Sequence, residues 1–248
     1  MRIFLDPGHG GRDPGACHKQ LKEKDLTLAI ALRIRDQLTQ HKDIMIKLSR
    51  HVDETCSLSD RVLLAERFKA DFYLSIHINA GGGTGFESYR YLNTSKKTGD
   101  YHQFIHQTIC QSLDVTDRGM KKGDFYVLRK TSMPAVLTES LFIDHPLDYV
   151  ALFKSSMVEK IVAAHVKAII SVKNTLLKPN SIVCGSFKNI ILANKRQAEL
   201  SQHGFDVDII KANVNGAPFY RVIVYDDGVT PNVEARLNAL GYNSFKTS

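Results

Sequence analysis

Three residues in the first part of the chain combine the side-chain types and the placement that a catalytic zinc site requires. His9 lies in the glycine-rich turn Asp6–Gly15, directly after a short apolar segment, and His77 lies near the end of a second apolar run. Glu23 begins the amphipathic segment that follows the turn. Two imidazoles and one carboxylate, with further coordination positions left open, are a typical donor set for catalytic zinc. Such an ion lowers the pKa of water to about 7, so the site also needs a base.

Glu139 is the candidate for the group that takes the proton from that water. It follows the apolar run 135–138 and therefore emerges at the same kind of strand end as His77. Each of the four residues also has an ordinary interpretation when it is taken alone. His9 would be a hydrogen-bonded loop residue, and Glu23 a carboxylate favoured by a helix start. His77 and Glu139 would be buried polar groups with local partners.

The segments that carry these residues alternate between strand and helix over residues 1–172. Apolar alternation and continuous apolar runs predict strands at residues 2–5, 44–48, 72–78, 86–92, 125–128 and 135–138. Apolar residues three and four positions apart predict helices at residues 23–40, 57–69, 101–113 and 147–172. This alternation predicts an α/β fold with a mostly parallel, twisted sheet and helices on both faces. In such sheets ligands bind outside the carboxyl ends of the strands, where we expect His9 and His77.

A second pattern begins after a short polar stretch that contains one proline. Residues 173–180 are predicted to be a linker between two domains, 1–172 and 181–248. Residues 181–248 are predicted to form strand, helix, strand, strand, helix and strand, with Asn213–Gly216 as the hairpin between the middle strands. This β-α-β-β-α-β order predicts a small ferredoxin-like domain.

Composition narrows the class of protein without identifying it. The chain has 248 residues, of which 43% are hydrophobic, enough for the core of one large or two modest domains. The net charge of +7 favours loose attraction to polyanions, but no basic run or arginine-rich helix indicates nucleic-acid recognition. The four cysteines form no CxxC pair and predict reduced thiols; they are Cys17, Cys56, Cys110 and Cys184.

Targeting signals are not apparent in the sequence. Met1 and Arg2 lead directly into the first apolar segment, so no signal peptide is expected. No apolar run approaches the roughly 20 residues that span a bilayer, so no membrane insertion is expected either. We therefore expect a protein made in the cytoplasm, whose work outside the cell needs release by lysis or passage through a pore.

Four short motifs follow one another in order along residues 1–172. They are Asp6–Gly11, Leu48–Arg50, Ser75–Asn79 and Leu137–Glu139. This series resembles the successive signatures of zinc-dependent N-acetylmuramoyl-L-alanine amidases, enzymes that act on peptidoglycan. The resemblance implies that zinc is the cofactor, that its ligands are His9, Glu23 and His77, and that Glu139 is the catalytic base. One departure is Leu141, where the family commonly has glycine; we expect it to alter the substrate groove without removing a ligand.

Residues 181–248 resemble, more weakly, the SPOR-type domain, which binds peptidoglycan glycan strands lacking stem peptides. The segment Cys184–Phe187 is similar to the motif of its first strand, and the order of elements agrees. Val183 stands where that family usually has glutamine. A small domain that stabilises or dimerises the enzyme is the alternative interpretation.

Three further features have weaker chemical interpretations. His102 and His106 have the i, i+4 spacing of a zinc pair, but the glutamate of an HExxH motif is missing, which favours a solvated helix face. Gly81–Gly83 lacks the lysine of a phosphate-binding loop and is expected to be a mobile edge of the substrate groove or a turn. Arg50 could contact substrate, although a structural salt bridge is favoured.

The leading expectation is therefore hydrolysis of the amide between N-acetylmuramic acid and L-alanine in peptidoglycan, which degrades the bacterial cell wall. A catalytically silent peptidoglycan-binding protein is the alternative, and the presence of all four site residues disfavours it. A nucleic-acid-binding protein is disfavoured because residues 181–248 are nearly neutral and lack an aromatic-rich RNA-binding strand. The sequence leaves open whether the enzyme is a bacterial autolysin or a phage endolysin.

Overall fold

The computed structural model describes residues 1–176, 180–214, 217–226 and 232–246. Contacts divide the chain into two units, Met1–Lys173 and Asn174–Ser248. The predicted linker, residues 173–180, includes the end of a helix and the first residue of a strand, and residues 177–179 lie outside the described ranges. Within those ranges, no helix has the length and apolar character needed to cross a membrane.

The first unit contains a six-stranded sheet. Its elements follow one another as β1 (Arg2–Pro7), β2 (Cys17–His18), β3 (Leu21–Lys22), α1 (Glu23–Leu38), β4 (Met45–Leu48), α2 (Leu58–Phe68), β5 (Phe72–Asn79), β6 (Phe86–Arg90), α3 (Lys96–Leu113), β7 (Asp117–Lys122), α4 (Tyr126–Lys130), β8 (Ala135–Phe142), α5 (Pro146–Leu152) and α6 (Ser155–Leu176). The strand order is β4-β1-β5-β8-β6-β7. Neighbouring strands are parallel except for β6 and β8. The predicted α/β class and mostly parallel sheet are confirmed.

Helices cover both faces of this sheet because β5 and β8 are apolar on both sides. Tyr73 belongs to a buried cluster with Ala65 of α2 and Val127 of α4. The preceding residue, Phe72, points the other way and contacts Tyr101 of α3 edge to face, with ring centroids 5.4 Å apart. Alternation along a strand thus supplies a core on each side, as expected for a buried parallel strand.

The predicted strand at residues 125–128 is wrong. These residues contribute to α4, and Leu128 N and Arg129 N both donate to the carbonyl oxygen of Phe125. The strand beside β6 is instead β7, whose six residues are Asp-Arg-Gly-Met-Lys-Lys and are partly or fully exposed. An edge strand with charged side chains carries no apolar alternation, so sequence periodicity misses it. The short apolar run folds as a helix because it packs on the sheet and on α2.

The predicted helix over residues 147–172 is two helices. Lys154 N donates to the carbonyl oxygen of Ala151, and this tight turn ends α5 before α6 begins at Ser155. Pro146 occupies the first turn of α5, where its missing N–H removes no helical hydrogen bond. At its other end α6 extends to Leu176 and so enters the predicted linker.

The second unit has the predicted β-α-β-β-α-β order. Its elements are β9 (Asn180–Phe187), α7 (Ile190–Gln202), β10 (Val207–Val214), β11 (Ala217–Asp226), α8 (Val233–Ala239) and β12 (Phe245–Lys246). The strands form an antiparallel sheet in the order β10-β11-β9-β12. Ile182 and Cys184 of β9 pack with Leu200 of α7 and Leu237 of α8 in a buried core. The ferredoxin-like arrangement is confirmed; residues 215–216 of the predicted hairpin lie outside the described ranges.

Candidate metal centre and catalytic groove

The three predicted ligands come together at the carboxyl edge of the parallel strands. His9 follows β1, His77 lies in β5, and Glu23 is the first residue of α1. His9 Nε2 is 3.1 Å from Glu23 Oε2, and His77 Nδ1 is 2.9 Å from Glu23 Oε1. One candidate ligand atom from each residue lies within 4.8 Å of the others. Glu23 is buried, whereas both histidines are partly exposed, so the cluster opens towards solvent on the histidine side.

The carboxylate of Glu23 dominates the electrostatics of this cluster. Burial alone would raise its pKa, but hydrogen bonds with His77 and His9 hold the pKa well below its usual range. Burial lowers the pKa of His9, yet the hydrogen bonds with Glu23 and Asp13 outweigh it and raise that pKa to about 9. Ala16 N also donates to Glu23 Oε2, at 2.9 Å. The carboxylate therefore remains ionised, which is the form that a cation requires.

Asp13 orients His9, a role that the sequence reasoning did not assign. Its Oδ2 lies 2.8 Å from His9 Nδ1, and its Oδ1 accepts from Gly15 N at 3.0 Å. A carboxylate on one ring nitrogen selects the tautomer that leaves the other nitrogen, here Nε2, available as a ligand. The available signal was an acidic residue four positions after the histidine in the same turn.

The turn has backbone constraints that only glycine satisfies. A Cβ atom on Gly8 would lie 2.2 Å from His77 Cε1. Gly15 has a φ of +64°, and a Cβ there would lie 2.6 Å from Glu23 Oε2. His9 itself has a φ of +62°, in the left-handed region that non-glycine residues seldom adopt. The glycines of the turn Asp6–Gly15 therefore let its backbone approach the other two candidate ligands closely.

Arg50 is a buried donor to the backbone around this turn. Its Nη2 donates to the carbonyl oxygens of Gly8 at 3.0 Å and Lys24 at 2.7 Å, and its Nε donates to that of Pro7 at 3.2 Å. Among the described residues its hydrogen-bond partners are carbonyl oxygens and the hydroxyl of Thr27. The predicted structural salt bridge is therefore wrong. The guanidinium has several donors in one plane and joins the end of β1 to the start of α1.

Arg61 anchors the same turn through a buried ion pair. Its Nη1 lies 2.5 Å from Asp6 Oδ1, and its Nη2 donates to the carbonyl oxygen of His9 at 2.6 Å. Asp6 Oδ2 also accepts from the hydroxyls of Tyr73 at 2.6 Å and Ser75 at 2.9 Å. Burial would raise the pKa of Asp6, but Arg61 and the hydroxyls of Tyr73 and Ser49 hold it below its usual value.

Replacing Arg61 with alanine is expected to lower the free energy of unfolding by about 3–5 kcal/mol, because it leaves the buried Asp6 carboxylate without its cation. Arg67→Ala on the same helix is the matched control, since Arg67 is exposed. Urea unfolding followed by circular dichroism compares the two variants. Equal unfolding midpoints would show that the ion pair contributes nothing to stability.

Glu139 lies beside the cluster, in direct register with His77 across β5 and β8. Its Oε2 atom is buried and has no hydrogen-bond partner among the described residues. Burial raises the pKa of Glu139 to about 7, with a further contribution from the carboxylates of Glu23 and Glu87 and opposition from His77. A carboxyl group with a pKa near neutrality is suited to accept and return a proton.

Glu87 is a second buried carboxylate next to Glu139, and the sequence reasoning overlooked it. The two residues are paired in register between β6 and β8. Four side chains donate to the carboxylate of Glu87 at 2.6–2.9 Å: Asn79, Tyr89, Arg118 and Lys121. Burial would raise the pKa of Glu87, but these donors lower it to about 2. The available signal was an acidic residue near the start of the predicted strand 86–92.

A β-bulge follows Glu139. It gives a physical reason for the glycine that the resembling family commonly has where this chain has Leu141. His77 pairs with Glu139, but Asn79 pairs with Phe142, so β8 contains one extra residue at this point. Leu141 has a φ of +69° there, a conformation that glycine adopts without strain. The Leu141 side chain is buried, so its effect is on the backbone beneath the groove rather than on an exposed groove wall.

The cluster opens into a cleft of about 440 Å³. The cleft is lined by His9, Glu23, His77 and Glu139 and by the side chains of Leu58, Phe125 and Tyr126. The start of α4 therefore contributes to the groove. Ala80 also lines the cleft, and the following Gly81–Gly83 segment is a turn in which Gly81 N and Gly82 N donate to Asp144 Oδ2.

His102 and His106 do not lie on a solvated helix face, so that prediction is wrong. Both side chains are buried, and both lie 2.7 Å from the hydroxyl of Ser88 on β6. The i, i+4 spacing places them on the face of α3 that packs against the sheet.

Comparisons with known proteins agree with the fold. The family model described as N-acetylmuramoyl-L-alanine amidase matches residues 3–171, and the model of the SPOR domain matches residues 179–245. A sporulation-specific N-acetylmuramoyl-L-alanine amidase of Bacillus subtilis is 42% identical over 211 residues, which cover 83% of each chain. An endolysin of Bacillus phage SPP1 is 42% identical over 178 residues, covering 69% of this chain and 66% of the endolysin.

Solved structures lead to the same family. An N-acetylmuramoyl-L-alanine amidase of Clostridium difficile aligns with a TM-score of 0.68 and 33% identity, covering 70% of this chain and 97% of that one. The catalytic domain of CwlV, an amidase of Bacillus (Paenibacillus) polymyxa, aligns with a TM-score of 0.67 and 29% identity, covering 70% and 98%. These matches agree with the mostly parallel sheet described above. The chain therefore belongs to the N-acetylmuramoyl-L-alanine amidase family and also contains a SPOR domain.

Proposed function

We propose that this amidase hydrolyses the bond between the lactyl group of N-acetylmuramic acid and L-alanine, using zinc held by His9, Glu23 and His77 and Glu139 as the base. The observation that carries the proposal is the cluster itself. Two imidazoles and one carboxylate offer ligand atoms within 4.8 Å of one another, which is the donor set that catalytic zinc prefers. Beside them, Glu139 Oε2 is buried and lacks a hydrogen-bond partner among the described residues.

The mechanism assigns separate tasks to Glu139, to the metal ligands and to Asp13. When bound, zinc polarises the scissile carbonyl and lowers the pKa of water. Glu139 accepts a proton from the attacking water, whose oxygen forms the new bond to the carbonyl carbon. As the carbon–nitrogen bond breaks, Glu139 returns that proton to the nitrogen of L-alanine. Asp13 keeps the imidazole of His9 in the ligating tautomer.

Peptidoglycan is the partner of both units. The amidase unit acts on the junction of glycan and peptide, and the SPOR unit binds the glycan strands. We propose that the second unit raises the concentration of the active site at the wall by this tethering. The relatives named above, a sporulation-specific amidase and a phage endolysin, support action on the cell wall. We propose that the protein reaches the wall by release on lysis or through a pore.

The deciding experiment is digestion of purified sacculi. We expect new L-alanine amino termini to appear, and treatment with a chelator to stop their formation until zinc is restored. Binding to sacculi without any new amino termini would instead support the catalytically silent alternative. Activity that persists after complete removal of metal would refute the zinc-dependent mechanism.

Replacing Gly8 with alanine is expected to lower zinc affinity and activity by about 10–100-fold, because the new Cβ displaces a ligand without removing it. Gly99→Ala is the matched control, since a Cβ there meets nothing within 4 Å. Zinc titration and sacculus hydrolysis are measured on both variants. Normal zinc affinity in Gly8→Ala would show that the close approach to His77 does not matter.

A further inference from the structure

A second group of metal-ligating side chains lies outside the catalytic groove. His106 and Cys110 are one turn apart on α3, and Asp117 begins β7. Their candidate ligand atoms lie within 4.8 Å of one another. This cluster shares no residue with the catalytic site and is independent of the proposed function.

From this geometry we infer that His106, Cys110 and Asp117 form a second site for a borderline-soft divalent cation such as zinc. Cys110 Sγ lies 3.6 Å from His106 Nε2. Thiolate and imidazole ligands of tetrahedral zinc are about 3.5 Å apart, given bond lengths of about 2.3 and 2.0 Å. Asp117 Oδ1 lies 2.8 Å from the same nitrogen, a hydrogen-bond distance similar to those in the His9–Glu23–His77 cluster. A small opening of this contact makes room for an ion.

The surroundings of His106 supply the support that a ligating imidazole needs. Its other ring nitrogen, Nδ1, lies 2.7 Å from the hydroxyl oxygen of Ser88, which lies 2.7 Å from His102 Nε2. Ligation through Nε2 requires the proton of His106 on Nδ1, where it donates to Ser88. The Ser88 hydroxyl then donates to His102 Nε2. The chain of three residues thus accommodates the change of tautomer with both hydrogen bonds of the Ser88 hydroxyl kept.

The same contacts argue against a catalytic Cys–His–Asp arrangement. In such a triad the thiol and the carboxylate contact different ring nitrogens of the histidine. Here Cys110 Sγ and Asp117 Oδ1 both approach Nε2. Donors that converge on one point are what a cation requires. Asp117 is about half exposed, so an ion can enter from solvent.

The expected role is structural. An ion bound here joins α3 to β7, the strand at the edge of the sheet. β7 carries charged side chains and packs little apolar surface, so an added cross-link to α3 would reduce its local opening. The catalytic residues lie on other elements, so removal of this ion is expected to leave hydrolysis intact.

Cobalt titration of the metal-free 248-residue chain tests the inference. A thiolate bound to Co²⁺ gives near-ultraviolet charge-transfer absorption, which the catalytic ligands, lacking sulfur, cannot give. We expect wild type to bind two equivalents of cobalt and to show this absorption. Cys110→Ala is expected to bind one equivalent, to lose the absorption and to keep sacculus hydrolysis. Cys17→Ala, the exposed-thiol control, is expected to behave as wild type.

Two further variants separate this inference from the proposed function. His77→Ala is expected to keep the charge-transfer absorption and lose hydrolysis. Asp117→Asn is expected to weaken the cobalt affinity of the second site by about tenfold or more. This variant replaces Cys110→Ala as the test of the second site if Cys110→Ala does not fold. Absence of the absorption from folded wild type, or its persistence in Cys110→Ala, would overturn the second site whatever happens at the first.

Discussion

Glu139→Gln is expected to lower the rate of sacculus hydrolysis by about 10²–10⁴-fold, the usual contribution of a general acid–base. Glutamine keeps the size and most of the polarity of the side chain but cannot carry a proton from water to the leaving nitrogen. Because Glu139 is not among the three clustered ligands, the variant is expected to bind zinc as tightly as wild type. Release of L-alanine amino termini and zinc titration are the two measurements.

Glu159→Gln is the matched control, because Glu159 lies on α6 and is about half exposed. It is expected to retain full activity. A Glu139→Gln variant that hydrolyses sacculi at the wild-type rate would refute the assignment of the base. Loss of zinc together with activity would instead indicate that Glu139 is a ligand, which contradicts the proposed division of tasks.

His77→Ala is expected to lose both hydrolysis and zinc, with affinity lower by more than about 100-fold, since removal of a ligand exceeds the effect of removing its outer partner. The variant is best made in the Cys110→Ala background, so that zinc bound at the second site does not contribute to the measured zinc binding. The His77 ring also contacts Glu23, whose buried carboxylate loses one of its partners. Urea unfolding therefore accompanies the zinc titration, to separate loss of the site from loss of the fold.

His51→Ala is the control for this variant, because His51 is an exposed histidine. Normal zinc content and activity are expected for it. If His77→Ala binds zinc with wild-type affinity, the ligand set is wrong. If it loses activity alone, His77 acts on substrate rather than on metal.

Glu139→Gln and His77→Ala together distinguish the catalytic base from a metal ligand, which an activity assay alone cannot do. The base and the ligand lie in register on adjacent strands, at the same level of the sheet. Either substitution strongly lowers the rate of hydrolysis under the proposed mechanism, but only His77→Ala weakens metal binding. This difference follows from the chemistry of the donors. Glu139 Oε2 is buried and has no hydrogen-bond partner in the described part of the chain, whereas His77 already contacts Glu23.

The prediction of elements failed where tertiary contacts outweighed local pattern. β7 has charged residues at most positions and was missed by the apolar pattern. A strand at the edge of a sheet can leave both of its faces exposed and so needs no apolar alternation. Residues 125–128 are apolar and resemble a strand, but they form α4 because α2 and the sheet cover them. His102 and His106 were assigned to solvent because a helical wheel does not show what packs against it.

Residue types and spacing were sufficient for the class of fold, the order of strands and helices in the second unit, and the family of the first. Apolar periodicity depends on local geometry, and the motifs near His9, His77 and Glu139 are short and contiguous, so both can be read along the chain. The convergence of His9, Glu23 and His77 is different, because it depends on which strands are neighbours. The same holds for the roles of Arg50, Arg61 and Glu87, and for the His106–Cys110–Asp117 cluster. Each depends on distances between residues that are remote in sequence or on different elements, and packing alone decides those distances.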